Sequence, residues 1–283
     1  MKTRIISGVV GIVIFIAAVV AAVKISNLIM LVLLMCIGCI GVYEALVRTG
    51  YAKSKFIAVT SIVYAALTPF VYSIELVSSE FKINLLIRHE TCLVLYGLVL
   101  FIAAMIMHEK VTPGDAAFCF SATVIVTFCF WSLPAILGSE DGHGLFYCII
   151  VFLAAWSYDT GAYFSGYFFG KHKMAPTISP KKTIEGTVGG VIFDILVIFI
   201  ACLIFNHYST ATANTLLLVL ITPVLAVAGM FGDLIFSYIK RACNIKDYGN
   251  IMPGHGGVLD RFDSVVAVAP LVYLLVLHFP IVV

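Results

Sequence analysis

Nine stretches of this chain are apolar for about as long as a bilayer is thick, and that one property excludes nearly every soluble architecture. A membrane span needs ~20 mostly apolar residues, and such runs cover 4–24, 28–47, 56–74, 91–107, 116–137, 145–169, 185–205, 214–236 and 264–280. In lipid the backbone must satisfy its own hydrogen bonds, so runs of this length fold as helices. The expected fold is all-α, a polytopic membrane bundle of about nine helices. With 11% charged residues and a mean hydropathy of +1.10 over 283 residues, composition agrees.

The cations test this topology, because Lys and Arg are retained in cytoplasmic loops. The N-terminus and the loops after even-numbered spans hold 14 of the 17: Lys2, Arg4, Arg48, Lys53, Lys55, Lys110, Lys171, Lys173, Lys181, Lys182, Lys240, Arg241, Lys246 and Arg261. The opposite side holds Lys24, Lys82 and Arg88. The N-terminus and both large polar loops, 170–184 and 237–263, are therefore expected in the cytoplasm and the C-terminus outside. The first run is longer than a signal-peptide core and is not followed by a small-residue cleavage site with a polar sequel, so it is expected to be a retained anchor.

Residues 1–143, with spans one to five, hold almost no nameable chemistry and are expected to be scaffold. Residues 144–283, with spans six to nine and the two polar loops, are expected to carry the chemistry within the same bundle. The eight cysteines mostly sit in apolar runs and form no CxxC pair. They are expected to pack as small hydrophobes rather than form disulfides or a zinc site.

Charge is densest between Ser237 and Asp263, where seven formally charged side chains fall in 27 residues. Asp233, Ser237, Lys240 and Arg241 stand at i, i+4, i+7 and i+8, which places them on one helical face. Interfacial snorkelling alone would explain Lys240 and Arg241. It does not explain Asp233, since an acid in a span is costly without a partner. The turn Pro253–Gly257, with His255 among three glycines, lets backbone N–H groups approach a phosphate. Asp260 and Asp263 follow and share a face if the last helix begins near Val258. Paired carboxylates beside paired cations suit a hard divalent ion such as Mg²⁺.

In the loop from Gly170 to Gly190, Ser179 with Pro180 reads as a helix start. Span seven would then begin there and present Lys181, Lys182 and the Thr183 hydroxyl to an anion, with Glu185 adding a carboxylate. Topogenic charge is the competing explanation of such a loop. The run Gly166–His172 is not a phosphate loop, being one residue short and lacking Ser or Thr after Lys171. Asp159 lies ~16 Å below the start of this loop by helical rise, and an acid at that depth is expected to face the bundle interior. Asp194 sits at similar depth in span seven and is expected to be a structural partner for a hydroxyl or a cation. Glu44 is explained by pairing with Arg48 at i+4, and Trp131 and Trp156 by interfacial anchoring and packing.

The run S-Y-I-K-R-x4-K-D-x-G-x2-M-P-G-H-G-G-V-x-D-R-F-D from Ser237, with Gly232-Asp233-Leu234 upstream, resembles the signature of the phosphatidate cytidylyltransferases, also called CDP-diacylglycerol synthases. D-T-G-A-Y-F-S-G at Asp159 and S-P-K-K-T-x-E-G from Ser179 look like the same family. The resemblance is strong over residues 155–265 and rests on length and hydropathy before that. Met252 stands where the family usually has Leu, Ile or Phe, a soft apolar exchange.

The resemblance implies transfer of a cytidylyl group from CTP to phosphatidate, giving CDP-diacylglycerol and pyrophosphate in phospholipid biosynthesis. It implies Mg²⁺ or another divalent cation, with a second cation not excluded, held by Asp233 and Asp260 with Asp263 and Asp159 in support. Lys240, Arg241, Lys246, His255 and Arg261 are expected around the reacting phosphates. Ser179, Lys181, Lys182, Thr183, Glu185, Ser237, Asp247, Gly256 and Gly257 are expected to bind substrate. The partners implied are CTP, phosphatidate and the lipid bilayer, with no nucleic acid and a homodimer left open. A bacterial cytoplasmic membrane, with the site facing the cytoplasm, is the expected location. A CTP-dependent lipid kinase and a polytopic transporter are the alternatives; the second predicts polar groups at the midplane and paired halves, which nine spans with polarity on one side do not supply.

Overall fold

A computed structural model describes residues 28–80, 88–251 and 256–283, with the isolated positions 17, 20, 21 and 26 before them. Among the described residues, eight helices are long and apolar enough to cross a membrane. They are α1 (Leu28–Tyr43, prolonged by a π turn Glu44–Arg48), α2 (Lys55–Glu80), α3 (His89–Ile106), α4 (Pro113–Leu137), α5 (Gly144–Phe169), α6 (Ile184–Tyr208), α7 (Thr215–Ala242) and α8 (Leu259–His278). They coincide with the second to ninth apolar runs. The first run, 4–24, lies almost wholly outside the described residues. The chain divides into two compact units that are discontinuous in sequence: Met1–Pro134 with Cys243–Arg261, and Ala135–Ala242 with Phe262–Val283.

In the first unit, α1 packs on α2 and α2 on α3. Tyr64, Tyr96 and Phe120 stack in series, with centroids 4.4 and 5.7 Å apart. The buried Tyr96 hydroxyl is satisfied by Ser61 Oγ at 2.9 Å, as a phenol taken out of water requires. Trp131 is buried and stacks on Tyr72 at 4.0 Å, so it packs the interior instead of anchoring at an interface.

In the second unit, α5 and α6 approach closely because small residues face each other, as membrane helices commonly do. Ala162 and Gly166 of α5 meet Gly186 and Gly190 of α6; a Cβ on Gly186 would come within 2.8 Å of the Ala162 carbonyl oxygen. Across this pair lies α7, with a core of Tyr158, Ala226 and Met230 surrounded by Ala162, Met174, Val191 and Leu234. The C-terminal tail is tied to the α6–α7 connection by Asn214 N–H to Ile281 O (2.7 Å) and reciprocal bonds between Thr212 and Val283. All eight cysteines are free thiols, and Cys119, Cys129, Cys148 and Cys202 are buried.

The segment expected to start a helix at Ser179 does not. Ser179–Thr183 is strand β2, antiparallel to β1 (Lys173–Ala175), with Ala175 opposite Ser179 and Lys173 opposite Thr183. The Ser-Pro signal is local, and the β1 partner overrides it; Pro180 is tolerated because this hairpin has only edges. The helix starts one turn later, where Thr183 is its N-cap and accepts from Gly186 N–H at 3.1 Å.

Candidate active site

Three helices of the second unit each contribute one carboxylate to a common region: Asp159 from α5, Asp233 from α7 and Asp263 from α8. By helical rise Asp159 lies about 15 Å before the end of α5 and Asp233 about 13 Å before the end of α7, while Asp263 follows the start of α8 by one turn. The charges of Asp233, Lys240 and Asp159 all act on Asp263. β2 delivers the fourth member, Lys182, whose Nζ stands 2.7 Å from Asp233 Oδ2 and 3.5 Å from the Met230 carbonyl oxygen.

Hydroxyls hold the carboxylates in place. Ser237 Oγ donates to Asp233 Oδ1 at 3.2 Å, one turn along α7, and Ser264 Oγ donates to Asp159 Oδ2 at 3.0 Å. Asp263 Oδ1 accepts the Ser264 N–H at 2.9 Å. Close approach of α7 to α8 depends on Gly232, where a Cβ would lie 2.6 Å from the Asp263 carbonyl oxygen. Lys240, 8% exposed, contributes a buried ammonium. Among the described residues, three carboxyl groups thus stand with two amines in a poorly solvated region, where each acid needs a partner.

These three carboxylates share a region without being grouped tightly enough to hold one metal ion between them, and no other set of three His, Cys, Asp or Glu among the described residues does so. The donor set still fits a hard cation. It consists of carboxylate and hydroxyl oxygens, and Mg²⁺ typically takes one or two protein carboxylates and keeps its waters.

Around this cluster, Thr183 is buried as the α6 N-cap and Ser179 is half-buried, whereas Lys181 and Arg241 are exposed. Glu185 is tied to the segment that precedes β1. Its carboxylate accepts the Lys171 N–H (3.0 Å) and the His172 N–H (3.1 Å), and Oε1 lies 2.6 Å from His172 Nδ1. It locks the hairpin to α6. Deeper in the bundle, Asp194 is fully buried and accepts from Ser157 Oγ at 2.5 Å.

The remaining expected residues belong to the first unit. Asp260 Oδ2 accepts two backbone amides, Tyr248 N–H at 2.7 Å and Gly257 N–H at 2.9 Å. Gly256 adopts φ +87°, which favours glycine, and Gly257 is buried. Lys246, Asp247 and Arg261 are exposed. His255 lies outside the described residues. Glu44, attributed to Arg48 from sequence, instead accepts the Val258 and Leu259 N–H groups at 3.1 and 2.9 Å. Ser264 was not foreseen at all, although its position directly after Asp263 puts it on the same turn.

The model described as the cytidylyltransferase family matches residues 2–279. Over 164 residues the chain is 44% identical to a phosphatidate cytidylyltransferase of Staphylococcus haemolyticus, 43% to one of Staphylococcus saprophyticus and 42% to one of Staphylococcus aureus. Each match covers 58% of this chain and 60% of the relative. The chain thus spans about three-fifths of the length of the curated relatives it matches. With the family match extending from the second residue to the last turn beyond α8, and with the carboxylate–lysine cluster inside it, this chain belongs to the cytidylyltransferase family.

Proposed function

We propose that the chain transfers a cytidylyl group from CTP to phosphatidate, forming CDP-diacylglycerol and pyrophosphate at the cytoplasmic face of a bacterial membrane. The observation that carries this reading is the cluster of Asp159, Lys182, Asp233 and Asp263. It combines oxygen donors for a divalent ion with a cation, Lys182, for phosphate oxygens. The names of the staphylococcal relatives supply the substrate class, and the one-sided distribution of Lys and Arg supplies the orientation.

Asp233 and Asp263, with Asp159 behind them, are the residues that would hold Mg²⁺. When bound, Mg²⁺ neutralises triphosphate charge and polarises the reacting phosphate. Lys182 and Lys240 then face phosphate oxygens, and Arg241 and Lys181 extend that positive surface. In the reaction a phosphatidate oxygen bonds to the α-phosphorus of CTP, the α–β bridging P–O bond breaks, and pyrophosphate leaves. A phosphate monoester has a second pKa near ~6 and is mostly dianionic at neutral pH, so the protein needs no strong general base. Its contribution is positioning and charge. Within the first unit, Asp260 holds the backbone at Tyr248 and Gly257, and Lys246 and Arg261 are exposed cations.

The test is incubation of purified protein in detergent with CTP, phosphatidate and Mg²⁺. Lipid-linked CMP and pyrophosphate are expected in equal amounts. CDP in place of pyrophosphate would identify a CTP-dependent kinase, and no product with any divalent ion would exclude both.

A further inference from the structure

Helix α1 ends in a π turn, Glu44–Arg48, and at its first residue sits a carboxylate that is 1% exposed. Both oxygens are committed to residues more than 200 positions away. Oε1 accepts the Val258 N–H and Oε2 the Leu259 N–H, the amides that open α8. A helix N-terminus normally takes its acceptor from a Ser, Thr, Asp or Asn at the cap. Val258 offers none, so the acceptor is supplied by a distant helix, and its negative charge also suits the helix dipole.

The surrounding backbone is shaped to this carboxylate. A Cβ on Gly249 or on Gly257 would overlap Glu44 Oε1. Asp260 then closes the segment from its far side by accepting from Tyr248 and Gly257. Tyr248 and the backbone from Gly257 to Leu259 are therefore held by two acids, one at the end of α1 and one on α8. Removing Glu44 leaves two buried amides unsatisfied at the point where α8 is aimed.

We propose that Glu44 is a positioning residue for the transfer reaction, fixing the start of α8 and with it Asp260 and Arg261. This rests on the reading given under Proposed function. Both Glu44 oxygens are taken by backbone amides, so its role is exerted through them. Its loss is expected to lower kcat about 10- to 100-fold, as removal of outer supporting partners does, while the KM values for CTP and phosphatidate change less than about threefold.

Three variants test this beside wild type in detergent: Glu44→Ala, Glu44→Gln, which keeps one acceptor oxygen, and Gly249→Ala, whose added methyl crowds Glu44 Oε1. Glu44→Gln is expected to recover part of the kcat lost in Glu44→Ala, and Gly249→Ala to reproduce the same kcat loss at near-constant KM. Amide exchange at Tyr248, Gly257, Val258 and Leu259 in ligand-free protein is expected to quicken in Glu44→Ala. Unchanged exchange overturns the inference, as does a Glu44→Ala kcat equal to wild type. Wild-type protein that makes no lipid-linked CMP overturns the underlying reading and the catalytic role with it, whereas wild-type turnover beside unaffected variants overturns this inference alone.

Discussion

Lys182 Nζ lies 2.7 Å from Asp233 Oδ2, with both side chains about one-fifth exposed. It joins a β-hairpin on one loop to the middle of the cluster on α7, and it offsets the repulsion among three acids. Replacing it with Ala is expected to destabilise the detergent-solubilised protein by about 1–3 kcal/mol, because the remaining carboxylates lose a partner they cannot replace with water. Mg²⁺ should restore more of the melting temperature in Lys182→Ala than it adds to wild type. Turnover should fall about 10²- to 10³-fold, the scale for loss of one electrostatic contact to a reacting phosphate. Thermal melts with and without Mg²⁺, alongside product formation, check both parts.

Eight of the nine expected runs were legible as helices because an apolar run of this length has almost no other use in water or lipid. Asp159 and Asp233 were singled out for the complementary reason, that an acid within such a run needs a partner, and Asp263 for sharing a face with Asp260 in the polar segment. Lys182 was expected to face an anion, and its pairing with Asp233 depends on the β1–β2 hairpin folding it inward. That hairpin was missed because Ser179-Pro180 carries a local helix-start signal and the competing partner, Lys173–Ala175, has no pattern of its own. Glu44 was misattributed for a similar reason. Arg48 at i+4 offered a sufficient local explanation, while the real partners are fixed by tertiary packing more than 200 residues away.

Asp260 combines a backbone acceptor with a charge, and the two can be separated. Asn at this position keeps a carbonyl oxygen for the Tyr248 and Gly257 amides but removes the negative charge. Asp260→Asn is expected to stay within about 1 kcal/mol of wild-type stability and to lose about 10²- to 10³-fold in turnover. Asp260→Ala should lose stability as well. Near-normal turnover in the Asn variant would leave Asp260 with a purely structural role.

Asp141, in the connection between α4 and α5, has a measurable pH signature. Partial burial works against its charge, but donors from Tyr147, His143 and Ser139 outweigh it and hold the carboxyl below the usual aspartate range. A carboxyl whose folded pKa is lowered stabilises the fold above its unfolded value and loses that contribution as pH falls through the folded value. The difference in melting temperature between wild type and Asp141→Asn should therefore be full at pH 7, still present near pH 5, and shrink only below about 3.9. A gap that is constant from pH 7 to 3 would mean that the ionised form is not favoured.

Gly232 and Gly229 lie one turn apart on α7, both against α8, yet they should respond differently to the same added methyl. At Gly232 the new Cβ would stand 2.6 Å from the Asp263 carbonyl oxygen, which is backbone and cannot swing aside. At Gly229 the nearest atom is a Val268 methyl carbon at 3.2 Å, and a side chain can yield by a few tenths of an ångström. Gly232→Ala is expected to cost about 1–3 kcal/mol, the usual range for overpacking, and to separate Asp233 from Asp263, lowering turnover at least tenfold. Gly229→Ala should remain within about 1 kcal/mol of wild type, since the methyl's helix-propensity gain offsets mild crowding. Paired melts and turnover measurements decide the matter. Equal behaviour of the two variants would show that the approach of α7 to α8 at Asp263 does not depend on the missing side chain.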